Sequence, residues 1–263
     1  MKGLHIFLHS VRQVTGNLDS ALRISALPFA IQVLAALILL GPDMMMDSGF
    51  SPDTANIGYF GSVALNLVVT IFTSLWIAIA WHRFVLRNEV PQGFVPSFAA
   101  PRSLAYFGRS FVIGLLCIAV AIPLGVVAGV IAAGLSGATG PGLGSMFILF
   151  VLVYLPVAVI SYRLSTALPG IALDEERAFS AGWEATKGET ETFFVLSVIS
   201  VVAFFVLSFG GSFLLSFLGT LVLGDVSILS FAWNVALGWM MLMVGLSILT
   251  TLYGHYIEKR PLV

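Results

Sequence analysis

The stretch IGYFGSVALNLVVTIFTSLWIAIAWHRFVLR, Ile57 to Arg87, decides the fold class. From Ile57 to Trp81 it carries no charge, and then Trp81, His82, Arg83 and Arg87 follow in close succession. A helix rises about 1.5 Å per residue and the hydrocarbon of a bilayer is about 30 Å thick, so this apolar run is long enough to cross it. An aromatic residue followed by cations marks a membrane edge, and Lys and Arg are retained in the cytoplasm during insertion. The stretch therefore reads as a span that ends on the cytoplasmic side.

Working outward, the same reading applies to the rest of the chain. Apolar segments at about 21–40, 104–135, 146–162, 192–223 and 228–253 join the one at 57–81 to give six spans. All twelve Lys and Arg residues, from Lys2 and Arg12 to Lys259 and Arg260, can then lie on one side. The opposite loops carry only Asp43, Asp47, Asp53 and Asp225 among charged residues. This sidedness predicts an all-α integral membrane protein with six transmembrane helices in three hairpins and both termini cytoplasmic. Residues 1–263 form a single transmembrane domain in this reading.

Composition agrees. Of 263 residues, 59% are hydrophobic and only 10% are charged, whereas a soluble domain needs about a quarter charged residues to cover its surface. Formal net charge is −1, a global figure that hides this sidedness, and no nucleic-acid partner is expected. The single cysteine, Cys117, excludes a disulfide framework and a Cys-based metal site within one chain.

Two inner segments read as cytoplasmic interfacial helices. In residues 1–17, Leu4, Phe7, Leu8, Val11 and Val14 recur at helical spacing opposite His5, His9 and Arg12. That is the pattern of an amphipathic helix on the membrane surface, and the mature protein is expected to keep it. In 164–191, Asp174 is expected to cap the start of a helix, with Glu175 and Glu176 at its positive end, Lys187 near its close and Gly188 terminating it. Gly125, Gly129 and Ala133 fall four apart in the third span, a small-residue stripe that lets another helix approach closely. Pro28 and Pro123 lie inside spans, and Gly210 and Gly211 are expected to weaken the fifth.

The returning spans end alike: Trp81-His82-Arg83 with Pro91, Tyr162-Arg163 with Pro169, and Tyr253 to His255 with Pro261. Two explanations stay open. The hairpins can form a parallel threefold repeat, or every inner membrane edge can independently select an aromatic residue and a cation.

No span holds a carboxylate, Lys or Arg near its middle, the usual sign of an ion or proton pathway. The deep polar residues are Gln32, Asn66, Thr70, Thr73, Ser74, Asn234 and Ser247. Asn66 and Asn234 are the candidates for a polar path or for helix–helix contacts. Arg83, Arg87, Arg163 and Arg260 are candidate lipid-headgroup contacts. His5 and His9 have two-His spacing, but no nearby Cys or carboxylate completes a ligand set. Asp19 or Glu258 could approach in the fold, yet solvated interfacial histidines are far commoner, so no metal or cofactor is expected. No nucleophile elbow, phosphate loop or dinucleotide glycine pattern occurs, and no enzymatic activity is expected.

The stretch YRLSTALPGIALDEERAFSAGWEATKGE, Tyr162 to Glu189, resembles the bacterial multi-span membrane proteins related to the membrane domain of some glycerophosphodiester phosphodiesterases. In that family an Arg closes one span, an LALP-like turn follows, and an AW-x-x-T-x-G-like helix leads into the next. Arg163, Leu168-Pro169, Gly182-Trp183, Thr186 and Gly188 match, with Gly182 where Ala is usual. The resemblance covers about thirty residues and the hairpin layout. It implies a bacterial inner-membrane protein and brings no catalytic residues, because the phosphodiesterase chemistry belongs to a separate soluble domain. The expected function is that of a structural or interaction subunit contacting anionic lipids, with a membrane-protein partner or a homo-oligomer. The alternative is a transporter or channel for a small or amphipathic solute.

Overall fold

The structure, a computed structural model, describes residues 2–41, 57–90, 93, 95, 96, 98–136, 142–175, 178–223 and 226–262. Among these every regular element is helical. Helix α1 (Lys2–Thr15) precedes α2 (Leu18–Leu40), α3 (Ile57–Arg87) and α4 (Ala100–Ser136). Helix α5 (Leu143–Leu149) passes through a π-helical turn, Phe150–Tyr154, into α6 (Leu155–Ser165). Two short helices, α7 (Leu168–Ala172) and α8 (Ala181–Ala185), lead to α9 (Thr190–Leu218) and α10 (Ser227–Leu252). A second π-helical turn extends α9 over Gly219–Leu223, and a third closes α10 at Tyr253–Ile257.

Among the described residues, six helical runs are long and apolar enough to cross a membrane: Leu18–Leu40, Ile57–Arg87, Ala100–Gly134, Phe147–Ala172, Thr190–Leu221 and Ser227–Ile257. The chain is a multi-pass membrane protein. Large apolar side chains lie bare along these runs, Ile57 at 92% exposure and Ile38 at 79%. Water penalises such surface, whereas lipid tails do not. The acidic loop positions Asp43, Asp47, Asp53 and Asp225 lie outside the described residues.

Local chemistry explains where the boundaries fall. Helix α4 begins at Ala100, earlier than expected, with Pro101 in its first turn, where a missing N–H breaks no helical bond. Helices α2 and α4 stay continuous through Pro28 and Pro123. The π-helical turn at Phe150–Tyr154 comes just before Pro156. A proline there cannot bond the carbonyl four residues back, and the widened turn takes up the misfit.

The chain divides into two compact units. One comprises Met1–Ser10, Ala100–Val201 and Ile248–Val263. In it α4 packs on α5, α6 and α7, α8 packs on α6, and the closing turn of α10 meets α7 and α8. The other comprises Val11–Ala99 and Val202–Ser247, with α2 against α3. Here the Trp81 indole donates to Ser247 Oγ at 2.9 Å, and Trp239 donates to Ser25 Oγ at 2.6 Å. Helix α9 runs unbroken through Gly210 and Gly211. A Cβ at Gly211 would lie 2.3 Å from the Trp233 ring, so this glycine leaves the space the indole occupies.

Helix α1 buries Gly3, Ile6, Ser10 and Val14, one stripe at helical spacing, and leaves Leu8 exposed. Gly3 sits against α9, where an added Cβ would be 2.5 Å from the Thr192 carbonyl oxygen. Ser10 donates to Thr251 Oγ1 at 3.0 Å.

The segment after α6 differs from the single helix expected there. Asp174 caps no helix start. It follows the end of α7 with φ 61°. Its N–H donates to Ile171 O at 3.2 Å, and the Glu175 N–H donates to Gly170 O at 2.9 Å. Those two bonds are the Schellman closure of a helix C-terminus, so Asp174 fills the left-handed position that glycine usually takes. Only five residues, Ala181–Ala185, form the next helix. Gly188, with φ 80°, ends the turn beyond it rather than the helix itself. Glu176 and Arg177 lie outside the described residues.

Candidate functional site

Among the described residues polar side chains gather in several places, and the first is the elbow formed by the end of α6 with α7 and α8. Arg163 is 7% exposed. Its Nε donates to Thr186 Oγ1 at 3.0 Å, and its guanidinium stacks 3.8 Å from the centroid of the Trp183 ring. The Thr186 hydroxyl in turn donates to Gly182 O at 2.8 Å. Gly182 lies so close to α6 that a Cβ would stand 2.5 Å from the Arg163 carbonyl oxygen. Expected at lipid headgroups, Arg163 is instead turned into the protein, because a Trp face and a hydroxyl satisfy its charge there. Across the elbow, buried Tyr253 donates to Glu175 Oε2 at 2.5 Å and packs over Gly170.

All three aromatics that close returning spans thus donate to a neighbouring element. Trp81 bonds Ser247, Tyr162 bonds Ser200 Oγ at 3.3 Å, and Tyr253 bonds Glu175. The other candidate headgroup cations lie in more open positions. Arg83 pairs with Glu89 through Nε at 2.7 Å, Arg260 pairs with Glu258 at 2.6 Å, and Arg87 closes α3.

The second place is a cleft of about 660 Å³ in the first unit. Pro101, Arg102, Ala105 and Arg109 from the opening turns of α4 form one wall. Ile171, Asp174, Glu175 and Ala178 form the other. Arg102 Nε reaches Asp174 Oδ1 at 2.6 Å, and the Arg109 guanidinium lies 5.8 Å from the Phe179 ring centroid. Spacing in the sequence gave no signal for this cleft, since its walls are about 70 positions apart.

The third place is an apolar crevice of about 230 Å³ in the second unit. Phe29, Val33 and Ala36 of α2 face Phe231, Val235 and Gly238 of α10, with Gln32, Thr70 and Asn234 as its polar atoms. Gln32 Nε2 donates to Ser74 Oγ at 2.9 Å and to Thr70 O at 3.3 Å. Asn66 is not among the lining residues, and its buried Oδ1 has no hydrogen-bond partner among the described residues. The structure therefore brings Asn234 together with Gln32 rather than with Asn66.

In the loop between α8 and α9, Glu189 accepts from Lys2 Nζ at 2.6 Å and from Thr192 Oγ1 at 2.8 Å. The Lys2 hydrogen bond is the largest influence holding the Glu189 carboxyl below its ordinary range. No family model, curated protein or solved structure matches the chain.

Proposed function

We propose that this chain is a non-enzymatic interaction subunit of a bacterial inner membrane, with six spans in three hairpins and both ends in the cytoplasm. The observation that carries this reading is the open stripe on α4. Among the described residues, nothing beyond the neighbouring backbone of α4 lies within 4 Å of a Cβ built at Gly125 or Gly129, and Ala133 beside them is exposed. Small residues four apart that no other described helix covers suit a helix supplied by a partner, because close backbone approach is what such stripes permit. Exposed Val126, Val127 and Val130 flank it and would pack on that helix. The cations near the span ends would rest among anionic headgroups, each contributing about 1 kcal/mol close to the surface. Helix α1 supports an interfacial placement, with one face on the bundle and Leu8 bare. Kinship with the membrane domains attached to glycerophosphodiester phosphodiesterases forms part of the proposal and rests on the Arg163-to-Gly188 pattern.

With Cys117 replaced by Ser, Gly129→Cys is expected to form a cross-linked species in native membranes. Gly129→Leu should weaken that association roughly tenfold, the equivalent of about 1–2 kcal/mol of helix packing. Capture of no partner and a purely monomeric wild type would sink the reading.

The crevice beside Gln32 and Asn234 favours a second reading, binding and passage of a small uncharged amphipathic solute. Ala36→Phe would fill it and is expected to reduce binding of Nile red to the purified protein about tenfold. Unchanged binding would remove this alternative.

A further inference from the structure

We propose that the cleft between α4 and the Asp174 turn binds the headgroup of a zwitterionic phospholipid carrying a primary ammonium, of the phosphatidylethanolamine type. This goes beyond the partner-helix reading and stands independently of it.

The wall chemistry selects the ligand. Two guanidiniums, Arg102 and Arg109, and two carboxylates, Asp174 and Glu175, line the same space. Guanidinium groups bind phosphate oxygens through charge-assisted hydrogen bonds. Carboxylates are acceptors only, and a primary ammonium offers three donors. A purely anionic headgroup would meet both carboxylates, and a quaternary ammonium has no N–H to give them. Formal charges of +2 and −2 on the described lining residues match a headgroup of net zero charge.

Position and size agree. Arg102, Ala105 and Arg109 fall three and four apart along the first turns of a membrane span, where a headgroup would lie. About 660 Å³ is within the range of small-ligand sites. The groups are held ready. Tyr253, 0% exposed, donates to Glu175 Oε2 and fixes that carboxylate. Asp174 occupies a left-handed position that glycine would fill with less strain, and its carboxylate reaches Arg102 at 2.6 Å. Binding would exchange this internal ion pair for two intermolecular ones, phosphate on the arginines and ammonium on the acids.

The same left-handed position supplies a clean test. Asp174→Gly suits φ 61° and removes the carboxylate without disturbing the turn. Delipidated protein in detergent would be titrated with phosphatidylethanolamine, phosphatidylcholine and phosphatidylglycerol, with lipid occupancy read by native mass spectrometry and folding by melting temperature. Wild type is expected to favour phosphatidylethanolamine at least fivefold. Asp174→Gly should melt no lower than wild type, lose that preference and gain phosphatidylglycerol, because one of the two carboxylates that oppose an anionic headgroup is gone. Arg109→Gln should weaken phosphatidylethanolamine binding at least fivefold. A wild type without headgroup preference, or an Asp174→Gly protein that keeps it, would overturn the proposal. If O-phosphoethanolamine alone raises the melting temperature as much as the lipid does, the cleft belongs to a soluble zwitterion and the lipid assignment fails.

Discussion

Gly182→Ala is expected to lower the melting temperature of the detergent-purified protein by about 2–12 °C. A Cβ at this position would stand 2.5 Å from the Arg163 carbonyl oxygen and 3.1 Å from both Ala167 N and Leu164 O. All three are backbone atoms of the elbow, so no side chain can swing aside to relieve the clash, and α8 must back away from α6. Overpacking of this kind costs about 1–3 kcal/mol, and each kcal/mol moves the melting point of a chain this size by about 2–4 °C. The loss would propagate, because Trp183 and Thr186 travel with α8 and both hold the Arg163 guanidinium. Gly170→Ala is the matched control. Its Cβ would meet the Tyr253 ring at 3.1 Å, and a ring can tilt. A Gly182→Ala protein as stable as wild type would show that the elbow is not held by this close approach.

The six spans were legible because length and apolarity are properties of contiguous sequence, as in Ile57–Arg87. The Arg163 elbow was legible as a motif, Arg163 through Gly188, but the direction of its arginine was not. Turning that charge inward requires the Trp183 face, which lies on a different helix, and sequence spacing does not encode that approach. Asp174 failed for another reason. A short polar residue before two glutamates suits the start of a helix and the left-handed residue after one equally well. Arg102 and Asp174 meet across a separation of 72 positions, so their cleft follows from α4 packing on α7 and from nothing local. Gln32 and Asn234 were legible as polar residues in apolar runs, and Asn66 was as prominent, yet only the first two line one crevice.

Gly3→Val is expected to free the first turns of α1 from the bundle. Its Cβ would lie 2.5 Å from Thr192 O, 2.9 Å from Leu196 N and 3.1 Å from Val195 Cβ, so α1 cannot keep its seat on α9. Once it lifts, Ile6 and Ser10, both 0% exposed, lose their burial, and the Ser10 bond to Thr251 breaks. A 14-residue helix without tertiary packing is marginal in water. Amide hydrogen exchange across Lys2 to Ser10 should therefore accelerate at least a hundredfold, while α4 amides stay protected. The Lys2–Glu189 pair adds a pH-dependent part to the same docking. Because the folded-state pKa of Glu189 is lowered, mainly by the Lys2 hydrogen bond, this contribution is present above the ordinary carboxylate range and is lost as pH falls through the lowered value. Wild-type α1 should accordingly exchange faster below that range, after correction for the intrinsic exchange rate. Lys2→Met should show the faster exchange already at neutral pH and change little on acidification. Equal protection of α1 in wild type and Gly3→Val would mean that the helix is not held by its seat on α9.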